Sequence, residues 1–348
     1  MRVRLYDVFG DNYVIAVASL ANGRRVGDWV EIQDPELVGS MRVGAEVARV
    51  REDRIAKGME RRGKAKREGP IRLLPLSGND RKAFEDALSC YNIPAQSSVS
   101  EILSKFDVKP RQCQSVTAPS FVKPEFYEYS RSPGYAGNRK VEVRVDPTYL
   151  LVSILGWVLT RLGSARVGKE GRVGVHVFPM GADQSLSVLP ELLKGVDNIP
   201  GIYPMTAFNL WLASTMISKG AVVNVPMKVY AVEDAAGQSP AAINSGYVVD
   251  VRRILGHQIV GDQGVVNAVL GLTWEALSPD ADNRAFAIRA CDLLFEVIMG
   301  SKREEDLLYF ANRELYSARM IGTEEKLDRV YKLASFISRR LAWRSTRL

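Results

Sequence analysis

Few side chains in this sequence could do chemistry. The 348 residues include two histidines and three cysteines, and none stands at a spacing that makes a site by itself. His176 sits in the alternating stretch VGVHVFP and His257 in ILGHQIV, neither with a second His or a Cys at metal-ligand spacing. Both read as structural histidines, and no metal is expected. Cys90, Cys113 and Cys291 are odd in number, far apart and in no C-x-x-C pair. They argue for a reducing compartment and against a disulfide framework or a structural zinc. The glycine-rich stretch LGSARVGKEGRVG (162–174) has neither phosphate-cradling spacing and lies between a helix and a strand, so it reads as a helix stop and a turn. Pro279-Asp280 with Glu324-Glu325-Lys326 has the letters of a metal-dependent nuclease. Those residues fall in a loop and at a helix start, the wrong setting for it. No catalytic residue and no cofactor is assigned.

Binding chemistry is better represented. The formal net charge is +7, and it is concentrated. Residues 51–72 hold nine cations against four acids, and the last ten residues hold four arginines and no acid. The rest of the chain is therefore slightly acidic, and two basic patches carry the excess. Focused positive charge is the electrostatic footprint of a phosphate-binding surface. The first patch supplies Arg51, Arg54, Lys57, Arg61, Arg62, Lys64, Lys66 and Arg67 as nucleic-acid contacts, and the second supplies Arg339, Arg340, Arg344 and Arg347. Arginines near a helix C-terminus also favour the helix dipole, which covers Arg339 and Arg340 but not Arg344 and Arg347 beyond them. Residues 107–140 interleave aromatics with cations and contribute Lys123, Arg131, Asn138, Arg139 and Lys140. Bases stack on aromatic faces while cations neutralise phosphates; alternatively Phe121, Phe126 and Tyr127 pin this segment to the core.

These residues must be positioned by elements the pattern outlines. RVRLYDVF alternates and NYVIAVASL is β-branched after the turn signal Gly10-Asp11-Asn12, so two early strands are expected. From Met41 a helix runs into the basic cluster, fraying near Gly63 or ending before Gly69-Pro70. SGNDRKAFEDALSCY predicts a short helix capped by Asn79 or Asp80. Residues 107–140, with four prolines and no sustained period, form a loop or insertion. KVEVRV follows as a strand, then an apolar, buried helix from Asp146-Pro147 to Gly163. RVGVHVFPM is a strand, SVLPELLKGV a short helix, YPMTAFNLWLASTMISKG a longer helix, and PMKVYAV and GYVVDVRRIL are strands. From about Gly264 the text is helical, with caps at Asp282 or Asn283, Ser301 and Thr323. The fold class is α+β (mixed α/β), with a helical C-terminal third. The segments are an N-terminal α/β region (1–106), the 107–140 insertion, a central α/β core (141–263) and the helical region (264–348). No apolar run reaches the roughly 18 residues of a membrane span and no signal peptide is evident, so a cytoplasmic protein without membrane partners is expected.

Residues 141–230 add a resemblance. An apolar helix with Gly156-Trp157 and Leu162-Gly163, a strand ending in Phe178-Pro179, and a helix around Asn209-Leu210-Trp211 follow one another. That arrangement, about a quarter of the chain, resembles the compact large subunit of archaeal type I-A CRISPR interference (Cascade) complexes. The resemblance implies an antiviral-defence subunit, with double-stranded DNA target, guide RNA and other CRISPR interference subunits as partners. Such a subunit checks the motif beside the target, helps open the duplex and supports recruitment of helicase and nuclease, while guide pairing reads the sequence. No motif-reading residue carries over, because the shared positions are core residues. A metal-dependent nuclease or nucleotidyl enzyme with scattered carboxylates, and a scaffold binding acidic partners, remain the alternatives.

Overall fold

The computed structural model describes residues 1–61, 71, 73–106, 113–126, 142–167, 171–181, 184–196, 198–257, 263–281 and 283–321. The chain begins β1 (Arg2–Arg4), α1 (Gly10–Leu20), β2 (Arg24–Val26), β3 (Trp29–Glu31) and the long α2 (Asp34–Arg61). Next come α3 (Gly78–Ser89), α4 (Val99–Ser104), β4 (Val116–Thr117), β5 (Arg144–Val145), α5 (Pro147–Thr160), β6 (Arg161–Val167) and β7 (Gly171–Pro179). Then follow α6 (Leu189–Gly195), β8 (Asn198–Ile199), α7 (Met205–Ser218), β9 (Met227–Glu233) and β10 (Ala242–Val249). The helices α8 (Arg252–Gly256), α9 (Gln263–Leu277), α10 (Arg284–Ile298) and α11 (Glu304–Ile321) complete the described part. The protein is α+β and its C-terminal part is helical, as the pattern predicts. No helix among the described residues is long and apolar enough to cross a membrane.

Two compact units emerge, each assembled from separate stretches of chain: 1–164, 172–197 and 227–248 in one, 165–171, 198–226 and 249 onward in the other. The first unit is organised around α5. All fourteen of its residues are buried, as its apolar composition requires, and α1, α2, α3 and α6 pack against it. Asp146 caps it by accepting from the Thr148 backbone N–H at 2.7 Å, with Pro147 at the first helical position. The helix passes directly into β6 at Arg161, so Gly163 lies inside a strand and does not end the helix.

The stretch expected as a second early strand is the helix α1. Its β-branched residues favour a strand only where a sheet is there to receive them. Here Tyr13, Val14, Ala16, Val17 and Ala18 are buried in the helix, which packs on α5. Contact is close enough that a side chain at Gly156 would put its Cβ 2.4 Å from the Tyr13 carbonyl oxygen. At the start of α1 the Asp11 carboxylate accepts from the Tyr6 and Asp7 backbone N–H groups and from the Tyr149 hydroxyl. Burial raises the Asp11 carboxyl above its ordinary range, against the lowering effect of those bonds.

Other boundaries also shift for local reasons. Ser77 caps α3, and Asp80 is the third residue of its capping box. The Asp80 carboxylate is taken up by the Ser77 backbone N–H and hydroxyl and by the Ser120 backbone N–H and hydroxyl. Of the described residues of KVEVRV, Arg144 and Val145 form a strand, paired antiparallel with Thr117 and Val116. Cys90 and Cys113 form a disulfide, their Cα atoms 6.0 Å apart. The odd number of cysteines, their spacing and the lack of a C-x-x-C pair point away from disulfides; packing of β4 on α3 nevertheless brings these two thiols together. Cys291 is buried and unpaired.

In the first unit the strands run in the order β10-β9-β7-β6. β7 pairs antiparallel with β9 from Gly174↔Val232 to Pro179↔Met227. Gly174 leaves room for the Arg161 guanidinium, which a Cβ there would approach to 2.4 Å. That guanidinium binds both oxygens of Asp234, at 2.8 and 2.6 Å, and lies 4.7 Å from the Trp157 ring centroid. In the second unit α7, α9 and α10 pack against one another, α11 lies on α10 and α8 on α7. Phe286 of α10 stacks on Phe310 of α11. Asn283 is the cap residue of α10, but α11 starts at Glu304, beyond Ser301. Thr323 lies outside the described residues.

Candidate nucleic-acid interface

The basic patch of residues 51–72 grows out of α2. This helix begins at Asp34, seven residues before the expected start, and presents Leu37, Met41, Gly44, Ala45, Val47, Ala48, Arg51 and Glu52 to the core. Those positions recur at three- and four-residue steps, the apolar stripe of an amphipathic helix. Its last two buried members are charged. Arg51 is 7 % exposed and donates to the backbone carbonyls of Val158 (3.2 Å), Leu193 (3.0 Å) and Arg161. Glu52 accepts from the Val99 backbone N–H at 2.9 Å and from the Ser100 hydroxyl, at the start of α4. Burial raises the Glu52 carboxyl from its ordinary value.

Beyond this root the helix changes. Arg54, Lys57 and Arg61 are exposed and recur at i, i+3 and i+7, so they share one stripe of the helix. Asp53 and Glu60 are exposed as well. Of the expected contacts in this patch, Arg54, Lys57 and Arg61 therefore sit on the surface, while Arg51 belongs to the interior. Arg62, Lys64, Lys66 and Arg67 lie outside the described residues.

Lys123 is another correction. Expected to face nucleic acid, it is 6 % exposed, behind a short 3-10 turn at Ser120–Val122 whose Phe121 is also buried. Burial lowers the Lys123 ammonium from its ordinary value, with Asp80, Glu142 and Glu125 opposing. Phe121 therefore pins its segment to the core. Arg131, Asn138, Arg139 and Lys140, like Arg339, Arg340, Arg344 and Arg347, lie outside the described residues.

His176 is completely buried, with Nδ1 3.1 Å from the Thr160 hydroxyl and no partner at Nε2. Its ring is set among Tyr13, Trp157 and Phe178, and burial holds it well below its ordinary pKa, helped by Arg161 and Arg51. Asp280 pairs on the surface with Arg166 at 3.3 Å, and Glu324, Glu325 and Lys326 lie outside the described residues. Among the described residues no group of three or more His, Cys, Asp or Glu side chains could hold a metal ion.

One basic surface escapes the sequence pattern. The first three strands form a small sheet in the order β1-β3-β2, and its register aligns Arg4, Trp29 and Val26 in one row and Arg2, Glu31 and Arg24 in the next. Trp29 and Val26 are 45 % and 47 % exposed. The alternation of RVR and of WVE carries the signal, but strands of three residues are too short for sequence to mark which of their faces is covered.

The family comparison completes the site's setting. The model of the family described as CRISPR-associated protein, CsaX matches residues 30–315, most of the chain. The chain belongs to the CsaX family of CRISPR-associated proteins. No curated protein matches it. The CsaX match contains α5, the whole of α2 and the two units' packed helices as far as residue 315. The exposed stripe Arg54, Lys57 and Arg61 lies within it, whereas β1, β2 and Trp29 precede it. The resemblance of residues 141–230 thus led to a CRISPR-associated protein.

Proposed function

We propose that this CRISPR-associated chain is a non-catalytic nucleic-acid-binding subunit of an RNA-guided interference complex, with the role of a type I-A large subunit. It holds target duplex near the adjacent motif, assists opening and supports recruitment of helicase and nuclease. One observation carries the reading: α2 is locked at Arg51 and Glu52 and then projects the exposed stripe Arg54, Lys57 and Arg61. The sequence runs on into Arg62, Lys64, Lys66 and Arg67. A rigid root aims the cations, and phosphates are the ligands that a patch of this density neutralises. Contacts of this kind position a duplex without reading its bases.

The test is the salt dependence of duplex DNA binding by the full chain. Neutralising Arg61, Arg62, Lys64, Lys66 and Arg67 to Gln lowers the slope of log K against log salt by about 0.9 for each phosphate that is no longer neutralised. An unchanged slope removes the patch from the interface. Metal-dependent cleavage of labelled DNA or RNA by the purified chain, abolished in Asp280→Ala, would replace this reading with an enzyme.

A further inference from the structure

We infer that the outer face of the N-terminal sheet is a stacking platform for single-stranded DNA, distinct from the α2 stripe. The inference rests on the nucleic-acid-binding reading above and adds a second surface with a different ligand. Side chains on a strand alternate between faces. Val3 and Val30, 2 % and 0 % exposed, turn one face of this sheet to the core. Arg2, Arg4, Arg24, Val26, Trp29 and Glu31 occupy the other, in the two rows fixed by the register. Neighbouring strands lie about 4.8 Å apart and alternate residues about 7 Å apart, so the two rows cover roughly 10 by 7 Å. That is enough for a base on the indole with phosphates at its margins.

The charge of the face is positive. Glu31 accepts from Arg2 at 2.7 Å and Arg24 at 2.8 Å, which neutralises one guanidinium and keeps both chains over the sheet. These two arginines nevertheless remain 73 % and 78 % exposed. The Arg4 guanidinium lies 5.6 Å from the Tyr6 ring centroid, at the edge of the row that holds Trp29. Beside Arg2, Arg24 and Glu31 the surface dips into a hollow of about 570 Å³ that Asn22 and Gln33 also line. An exposed indole with Arg4 beside it and Arg2 and Arg24 in the adjacent row matches an unstacked base with its flanking phosphates. A duplex keeps its base faces stacked inside, so the occupant is single-stranded. The face offers stacking and phosphate contacts, neither of which calls for a 2′-hydroxyl, and the ligand proposed is DNA.

Fluorescence anisotropy of the full chain with labelled oligothymidylate, oligouridylate and duplex DNA tests this. Trp29→Ala is expected to weaken oligothymidylate binding about tenfold, and Trp29→Phe, which retains a stacking ring, by less than about threefold. Arg4→Gln with Arg24→Gln lowers the salt slope by about 0.7 per phosphate released from a single strand. If Trp29→Ala melts early, this exposed arginine pair decides. Sheet variants that bind oligothymidylate like the parent overturn the platform while leaving the α2 stripe intact as a duplex contact. Binding of oligouridylate in preference to oligothymidylate overturns the choice of DNA. A parent chain that binds none of the three probes overturns the function proposed above and this inference with it.

Discussion

Arg51 and Arg54 stand one turn apart on α2, with the same side chain and the same charge. Arg51 is enclosed by three carbonyls from α5, β6 and α6, whereas Arg54 lies on the exposed side of the helix. The first cation ties α2 to the core, and the second belongs to a stripe turned toward solvent. A run of basic residues is thus not one surface. Its described members divide where the buried stripe of the helix ends: Arg51 lies inside, and Arg54, Lys57 and Arg61 are exposed.

Replacing Arg51 should give the largest effect. Arg51→Met leaves the three carbonyls without their donor and is expected to cost about 3 kcal/mol in urea unfolding, while the folded fraction binds duplex DNA as before. A destabilisation below about 0.5 kcal/mol would erase the distinction between the two arginines. Next is the covalent tie: Cys90→Ser with Cys113→Ser removes a loop closure across 23 residues and is expected to cost about 3 kcal/mol under non-reducing conditions. Equal stability of parent and double variant, with both thiols alkylated in the parent, would show that β4 and α3 hold together without it.

The buried side can also be read through pH. His176 is held well below its ordinary value of 6.5, so below pH 6.5 the unfolded chain takes up a proton that the folded chain refuses. Stability then falls with pH, by about 1.4 kcal/mol per unit from this group. His176→Phe should flatten that slope between pH 7 and about 5; a slope as steep as the parent's would assign it elsewhere. The smallest stability effect belongs to the exposed stripe. Arg54→Gln, Lys57→Gln and Arg61→Gln should each shift unfolding by less than about 0.5 kcal/mol while reducing the salt dependence of duplex binding.

The contrast also explains what sequence could and could not reveal. α5 is legible because Asp146, Pro147 and an unbroken apolar run all favour the same buried helix. α1 is not, since Val14, Ile15 and Val17 suit a strand, and only the close fit of Tyr13 on Gly156 decides for helix. Ser77 is hard to pick out as a cap because the Asp80 carboxylate, three residues on, is an equally good capping group until its second partner, Ser120, is known. Charge density identifies the α2 patch but does not separate Arg51 from Arg54, nor place Lys123 behind Phe121, because depth is a property of packing. The platform around Trp29 is harder still, being set by pairing between strands of three residues each.

The enclosure of α5 bears on how the protein is made. Its partners α1, α2 and α3 are all synthesised before it, and α6 after it. At about 5 to 20 residues per second, roughly 3 to 11 s separate the end of α3 at Ser89 from residue 146. Throughout that interval the nascent chain has three helices with apolar faces and no centre to cover. Yield of the full chain should therefore respond to chaperone supply during translation more than to the stability of the finished fold.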